Sequence, residues 1–183
     1  MILASQSPRR RELLSLITTD FRVIPAKGEE ILPEGISPKD AVILLSRQKA
    51  AEIYTEYKNE MIIASDTVVA VDGRILGKPC DEKDAADMLY ALSGRKHSVF
   101  TGVCIIAPDG SENCFAEETV VEFWQLTQQE IEDYVASGEP MDKAGAYGIQ
   151  GRGALLVKRI NGDYYNVMGL PVGSLYRALS DTI

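Results

Sequence analysis

The side chains in this chain of 183 residues that could do chemistry together are carboxylates, arginines and lysines, with one glycine-rich segment. Asp66 follows the apolar run Met61-Ile62-Ile63-Ala64-Ser65 and precedes Thr67, where a strand meets polar sequence. Open α/β sheets present functional side chains at such points. A carboxylate there could hold a divalent cation or act as general base, whereas the plainer alternative is that Asp66 caps a turn through Thr67. Glu29 and Glu30 lie on a loop with Lys27, Gly28 and Pro33, and could complete a hard-oxygen metal site, with one of the two left as a solvated charge. Lys49, among Ala and Leu on a helix face, and Lys78, between Gly77 and Pro79, could neutralise phosphate oxygens; either is otherwise an ordinary surface charge. In Asp142-Lys143-Ala144-Gly145-Ala146-Tyr147-Gly148-Ile149-Gln150-Gly151, closely spaced glycines allow a ligand near the backbone, and the Gln150 amide both donates and accepts. A flexible hairpin loop is the rival reading of that segment.

A second concentration of charge opens the chain. Ser7-Pro8-Arg9-Arg10-Arg11 reads as an N-cap, a first-position proline and three arginines in the opening turn of a helix. That end of a helix already carries unpaired N–H groups and the positive pole of the macrodipole, so arginines there are electrostatically misplaced unless an anion is brought in. At about 100° per residue, at most two of them face one site. A solvated face with acidic neighbours such as Glu12 is the alternative.

Missing motifs narrow the chemistry. The chain has no GxxxxGK[ST] loop, and Gly148-x-x-Gly151-x-Gly153 is not the GxGxxG order of a dinucleotide fold. One histidine, His97, leaves little basis for a Ser-His-Asp or Cys-His nucleophile, and it reads as structural in the loop from Ser93 to Ser98. Acids and bases without a covalent nucleophile suit metal-assisted attack of water on phosphorus.

The elements that must position these groups alternate between strand-like and helix-like patterns, which predicts an α/β layer architecture. Strand 2–4 and helix 8–16 lead to a strand near 21–25, a Gly/Glu/Pro loop over 27–37, and a helix from Ser37-Pro38 to about residue 54 or 57. The run 61–65 and the run 68–71 flank Asp66-Thr67, and Asp72-Gly73 predicts a hairpin. A helix capped by Asp81 ends near 92. Strands 97–107 and 112–124 join through Pro108-Asp109-Gly110, and Thr127 with Glu130 predicts a capping box on a helix ending near 137–138. After the glycines come a strand over 154–160, an Asn161-Gly162 turn, a short strand and a C-terminal helix from about Pro171.

Composition, at 45% hydrophobic and 25% charged, is that of a globular chain able to bury one sizeable core, so residues 1–183 read as a single domain. A net charge of −8 argues against general nucleic-acid binding, and any phosphate recognition is expected to be local. No basic n-region and no 18-residue apolar run is found, which predicts a cytoplasmic protein without membrane association. Cys80, Cys104 and Cys114 are odd in number and lack CxxC spacing, so all three are expected as free thiols.

Taken together, Leu3-Ala4-Ser5-x-Ser7-Pro8-Arg9-Arg10, Ser65-Asp66-Thr67, Gly77-Lys78-Pro79-x-Asp81, Leu92-Ser93-Gly94-x-x-His97, the Asp142 to Gly151 segment and Gly169-Leu170-Pro171 resemble the Maf proteins, nucleoside triphosphate pyrophosphatases related in fold to the inosine triphosphatase group. The resemblance spans nearly the whole chain. Ala146-Tyr147-Gly148-Ile149-Gln150-Gly151 looks like the dTTP/UTP branch rather than the branch acting on 7-methyl-GTP. What the resemblance implies is a twisted mixed sheet with flanking helices and two lobes around a deep cleft, often as a homodimer. The implied reaction is hydrolysis of dTTP or UTP, with CTP and modified pyrimidine nucleotides as further candidates, to the monophosphate and pyrophosphate with magnesium or manganese. Asp66 matches the family's proton acceptor; Arg9, Thr67 and Gln150 match positions linked to substrate choice; Ser5, Arg10, Glu30, Lys49 and Lys78 match other cleft residues. On this reading Arg9 and Arg10 grip phosphate, Glu30 and Asp66 hold the metal, Lys49 and Lys78 stabilise developing charge, Gln150 reads the pyrimidine, and Arg11 is a surface residue. A non-catalytic nucleotide sensor regulating cell division or septum formation is the alternative from another class.

Overall fold

The structure, a computed structural model, describes residues 1–180; the single-domain reading extends to residue 183, and residues 181–183 lie outside the described residues. A seven-stranded sheet forms the centre: β1 (Ile2–Leu3), β2 (Arg22–Val23), β3 (Ile62–Val71), β4 (Arg74–Leu76), β5 (Lys96–Ile106), β6 (Glu112–Phe123) and β7 (Val157–Asn161). The strand order is β2-β1-β3-β5-β6-β7, with β4 paired to β3. β1 runs parallel to β2 and to β3, and the remaining pairs are antiparallel, so the sheet is mixed.

Among the described residues six helices flank it: α1 (Pro8–Leu14), α2 (Pro38–Glu56), α3 (Glu82–Leu92), α4 (Gln128–Ala136), α5 (Tyr164–Met168) and α6 (Val172–Ser180). Their starts follow local chemistry. Ser7 and Ser37 cap helices that begin with proline, Asp81 accepts from the Asp84 amide, and Thr127 with Glu130 completes the capping box. Asp72 at φ 51° and Gly73 at φ 75° turn the chain between β3 and β4, as the Asp-Gly pair predicts.

Apolar side chains gather in three clusters against the two faces of the sheet. One, with Leu89, Val99, Phe123, Ile131 and Tyr147, fills the lobe under α3 and α4. A second joins Leu3, Leu14, Ile63, Val103, Met168 and Leu175 beneath α1, α5 and α6. The third, with Ile2, Ala50, Ile53, Ile62 and Ala64, seats α2 on the opposite face of the sheet. Gly102 lets α2 come this close, since a Cβ there would run into the Val42 carbonyl.

Several sequence expectations are corrected. The runs 61–65 and 68–71 are one strand, because β3 continues through Asp66 and Thr67, which stay in register with Gly102 and Thr101. His97 lies on β5, not in a loop. Residues Gly151–Leu155 form a 3-10 turn, so the strand expected at 154–160 begins at Val157; the Glu139 carboxylate draws the Arg152 and Gly153 amides into that turn. The short strand expected after Gly162 is the helix α5, whose N-cap Asp163 accepts from the Tyr165 amide. Finally, Cys80 is a free thiol, but Cys104 and Cys114 are joined as a disulfide. The hairpin puts these two directly opposite each other, a pairing that residue spacing without register does not reveal.

Candidate active site

β1 pairs with β3 at Ile62 and Ile63, and β4 takes over at Val69, so residues 64–68 have no strand neighbour on that side. A cleft of about 640 Å³ opens along this bare edge. Side chains alternate faces along a strand. Asp66 therefore points to the α2 side and Thr67 to the side of α1 and α5, yet both reach the same cavity because it wraps the edge.

On the α2 side, Lys49 Nζ bonds Asp66 Oδ1 and also lies 2.8 Å from Glu30 Oε1. Two carboxylate oxygens thus converge on one cationic position, and hard oxygen donors of this kind are the ligands magnesium and manganese take. The donor set fits a divalent cation, with the ammonium marking where positive charge is wanted.

On the other side, Arg10 is fixed at two points. Its Nε donates to Gly169 O at 2.9 Å and one Nη2 hydrogen to Thr67 Oγ1 at 3.0 Å. Ser65 Oγ donates to the same Gly169 carbonyl. Burial draws the Arg10 pKa down, opposed by the nearby Asp66 charge; a guanidinium remains charged all the same. Gly169 ends α5 at φ 108°, and a Cβ there would stand 3.4 Å from both Arg10 Nε and Thr67 Oγ1. Arg9 Nη1 reaches across the cleft toward Asp142 Oδ2 at 3.8 Å.

The far wall comes from the segment 139–151, with Lys78 and Ile75 beside it. Tyr147 is buried with its hydroxyl 2.8 Å from His97 Nε2, and both rings stack edge-on against Phe123. Burial pushes the Tyr147 hydroxyl pKa up and the His97 imidazole pKa down to about 4, so both are neutral near pH 7. Glu139 accepts from the Arg152 and Gly153 amides and from the Tyr134 hydroxyl. Burial alone would raise its pKa, but these donors hold it below the ordinary carboxylate value.

Of the residues singled out in the sequence, Arg9, Arg10, Glu30, Lys49, Asp66, Thr67, Lys78 and Gln150 all line the cleft. Ser5 does not; it is buried behind it, with Oγ accepting from the Ser7 amide ahead of α1. Arg11 and Glu29 are exposed and stay outside. Glu139, Asp142 and Lys143 were not singled out as site side chains, although they also line it. Asp142 and Lys143 sit in the segment noted for its glycines, whereas nothing near Glu139 in the sequence marks it. The cleft carries Arg9, Arg10, Lys49, Lys78 and Lys143 against Glu30, Asp66, Glu139 and Asp142, so it is locally basic in a chain of net charge −8.

A family model described as Maf-like protein matches residues 1–182. The chain belongs to the Maf family. This Maf chain is 52% identical over 177 residues to a protein of Geobacillus sp. (strain WCH70) named dTTP/UTP pyrophosphatase, covering 97% of this chain and 95% of that one. A Bacillus velezensis protein of the same name is 50% identical over 181 residues, covering 99% and 95%. The Maf fold here is also similar to the Staphylococcus aureus Ham1 protein, with a TM-score of 0.56, 18% identity and coverage of 100% and 98%. A HAM1 protein from Coxiella burnetii gives 0.52, 17% and 98% of each chain. These two likenesses concern the fold: a mixed sheet with flanking helices. Among the described residues no helix is long and apolar enough to cross a membrane.

Proposed function

We propose that this Maf protein hydrolyses dTTP and UTP between the α and β phosphates, releasing the monophosphate and pyrophosphate. The observation that carries this reading is the meeting, in one cleft, of a fixed arginine with a pair of carboxylates converging on a cationic position. The names of relatives about half identical over nearly the full chain specify the nucleotide.

Arg10, anchored at Gly169 and Thr67, turns its remaining N–H groups to phosphate oxygens, and Arg9 joins it when it leaves Asp142. Glu30 and Asp66 would hold a magnesium or manganese ion, which supplies Lewis-acid neutralisation of the phosphate oxygens. Asp66 has a second carboxylate oxygen with which to orient the attacking water and take its proton. Lys49 and Lys78 stabilise the charge that develops on bridging and non-bridging oxygens. Gln150, able to donate and accept at once, complements the adjacent N–H and carbonyl groups of thymine and uracil.

The test is pyrophosphate release from dTTP, UTP and CTP with added Mg²⁺. The expected result is release from dTTP and UTP, with loss by Asp66→Asn of at least about a hundredfold in kcat and an unchanged circular dichroism spectrum. Tight dTTP binding without release would overturn the assignment in favour of a nucleotide-sensing module. The family resemblance also supports a cytoplasmic homodimer, which sedentary tests of size by light scattering and fractionation of cells address directly.

A further inference from the structure

We propose that Thr101, which does not line the cleft, is a positioning residue: its hydroxyl sets the direction of a hydrogen-bond chain that holds Arg10 in place through Thr67. The inference rests on the pyrophosphatase reading and deepens it by adding a residue behind the phosphate grip.

Four groups form the chain. Arg10 Nη2 donates to Thr67 Oγ1 at 3.0 Å, Thr67 Oγ1 lies 2.9 Å from Thr101 Oγ1, and Thr101 Oγ1 lies 2.8 Å from the Asn166 backbone oxygen. Thr101 and Asn166 are fully buried. A carbonyl only accepts, and each hydroxyl has one hydrogen. If Thr101 turned its hydrogen to Thr67, two lone-pair-bearing oxygens would face each other at 2.8 Å, away from water and with no hydrogen between them. Thr101 therefore donates to Asn166, and Thr67 donates to Thr101. Thr67 is left with lone pairs only, and it meets Arg10 and the cleft as an obligate acceptor.

The base of the chain is fixed as well. Asn166 Nδ2 places both of its hydrogens, on Val99 O at 3.0 Å and on Thr119 Oγ1 at 2.9 Å, while Thr119 donates to Asp163 O. The Asn166 backbone is thus tied to β5 and β6, and the Thr101 hydroxyl reports that position to the cleft. With Nε on Gly169 O and one Nη2 hydrogen on Thr67, two of the five Arg10 donors are committed, which leaves three for a ligand in the cleft that Arg10 lines.

The experiment measures dTTP hydrolysis by Thr101→Val, Thr101→Ser and Thr67→Val, with the double variant Thr67→Val/Thr101→Val. Valine keeps the shape and removes the hydroxyl. The expected result is a KM raised on the order of tenfold in Thr101→Val, with kcat less affected, because a gripping contact rather than the reacting centre has loosened. Serine, which keeps the hydroxyl, restores KM to within about twofold, and the double variant is no worse than Thr67→Val alone. An unchanged KM in folded Thr101→Val, failure of serine to rescue, or additive losses would overturn the proposal. Should Thr101→Val lack a cooperative melt, Thr101→Ala against Thr101→Ser carries the same comparison. If the unaltered protein releases no pyrophosphate, the functional reading fails by itself. Calorimetric binding of inorganic tripolyphosphate then tests the chain separately, expected to be weaker in Thr101→Val than in Thr101→Ser and overturned by equal affinities.

Discussion

Lys49 Nζ lies 2.8 Å from Glu30 Oε1 while bonding Asp66, so one ammonium bridges both carboxylates that are fit to bind a divalent cation. A lysine in that position competes with metal for the same oxygens. Lys49→Met should therefore tighten binding of Mn²⁺ alone by about tenfold or more, since a like charge within a few ångströms is removed, while nucleotide turnover falls. Titration followed by electron paramagnetic resonance reads the first effect without substrate. Weaker Mn²⁺ binding in the variant would count against the shared position.

The arginine run separates by geometry. Arg9 faces Asp142 across the cleft, whereas Arg11 is exposed outside it. Arg9→Ala should lower kcat/KM for dTTP by about tenfold or more, and Arg11→Ala by less than about twofold. Steady-state kinetics of the pair decides this, and equal losses would reject it.

Acid should weaken the lobe that carries the far wall. The buried His97 imidazole has its pKa pushed down to about 4, against about 6.5 in an unfolded chain. Between those values the unfolded chain binds more protons, so the stability that His97 contributes is present above pH 6.5 and is lost as pH falls toward 4. The shift corresponds to about 3 kcal/mol. Urea unfolding at pH 7, 5.5 and 4.5 should show this loss in the unaltered protein and a shallower one in His97→Gln.

Glu139 is a carboxylate whose task is to collect amides. Its oxygens accept from Arg152, Gly153 and the Tyr134 hydroxyl. Glu139→Ala leaves these donors without their acceptor, at a cost of about 1–3 kcal/mol. Because Gln150 immediately precedes that turn, KM for dTTP should rise with the loss of stability, as thermal melts and kinetics on one preparation would reveal.

Gly102 is constrained by the helix above it. A methyl group at this position collides with the Val42 carbonyl and stands 2.8 Å from the Ile43 nitrogen. Gly102→Ala should destabilise by about 1–3 kcal/mol, the usual range for overpacking. It should also depress turnover, since α2, which carries Lys49, must move. A melting temperature equal to that of the unaltered protein would show that α2 is not held this tightly.

The caps of α1 to α4, both hairpin turns and most of the cleft were legible because each depends on residues close in sequence or on a recognisable motif. The Asp81 and Thr127 caps and the Asp72-Gly73 turn are local chemistry and stand where expected. What escaped was set by pairing between distant segments. Asp66 and Thr67 look like a strand end when read along the chain, but β5 carries the strand through them. Cys104 and Cys114 look unrelated until the register of their hairpin is known. Glu139 gives no signal because its ligands, the amides of residues 152 and 153, carry no side-chain signature at all.

The stretch of β3 between its β1 and β4 partners leaves an unpaired edge only five residues long, 64–68. Were β1 to run on past Leu3 and pair along all five residues, that edge would close and the mouth of the cavity would lie under main chain. The length of the shortest strands is thus as much a condition of activity as the identity of Asp66, and insertions just after Leu3 should be as damaging as substitutions inside the cleft.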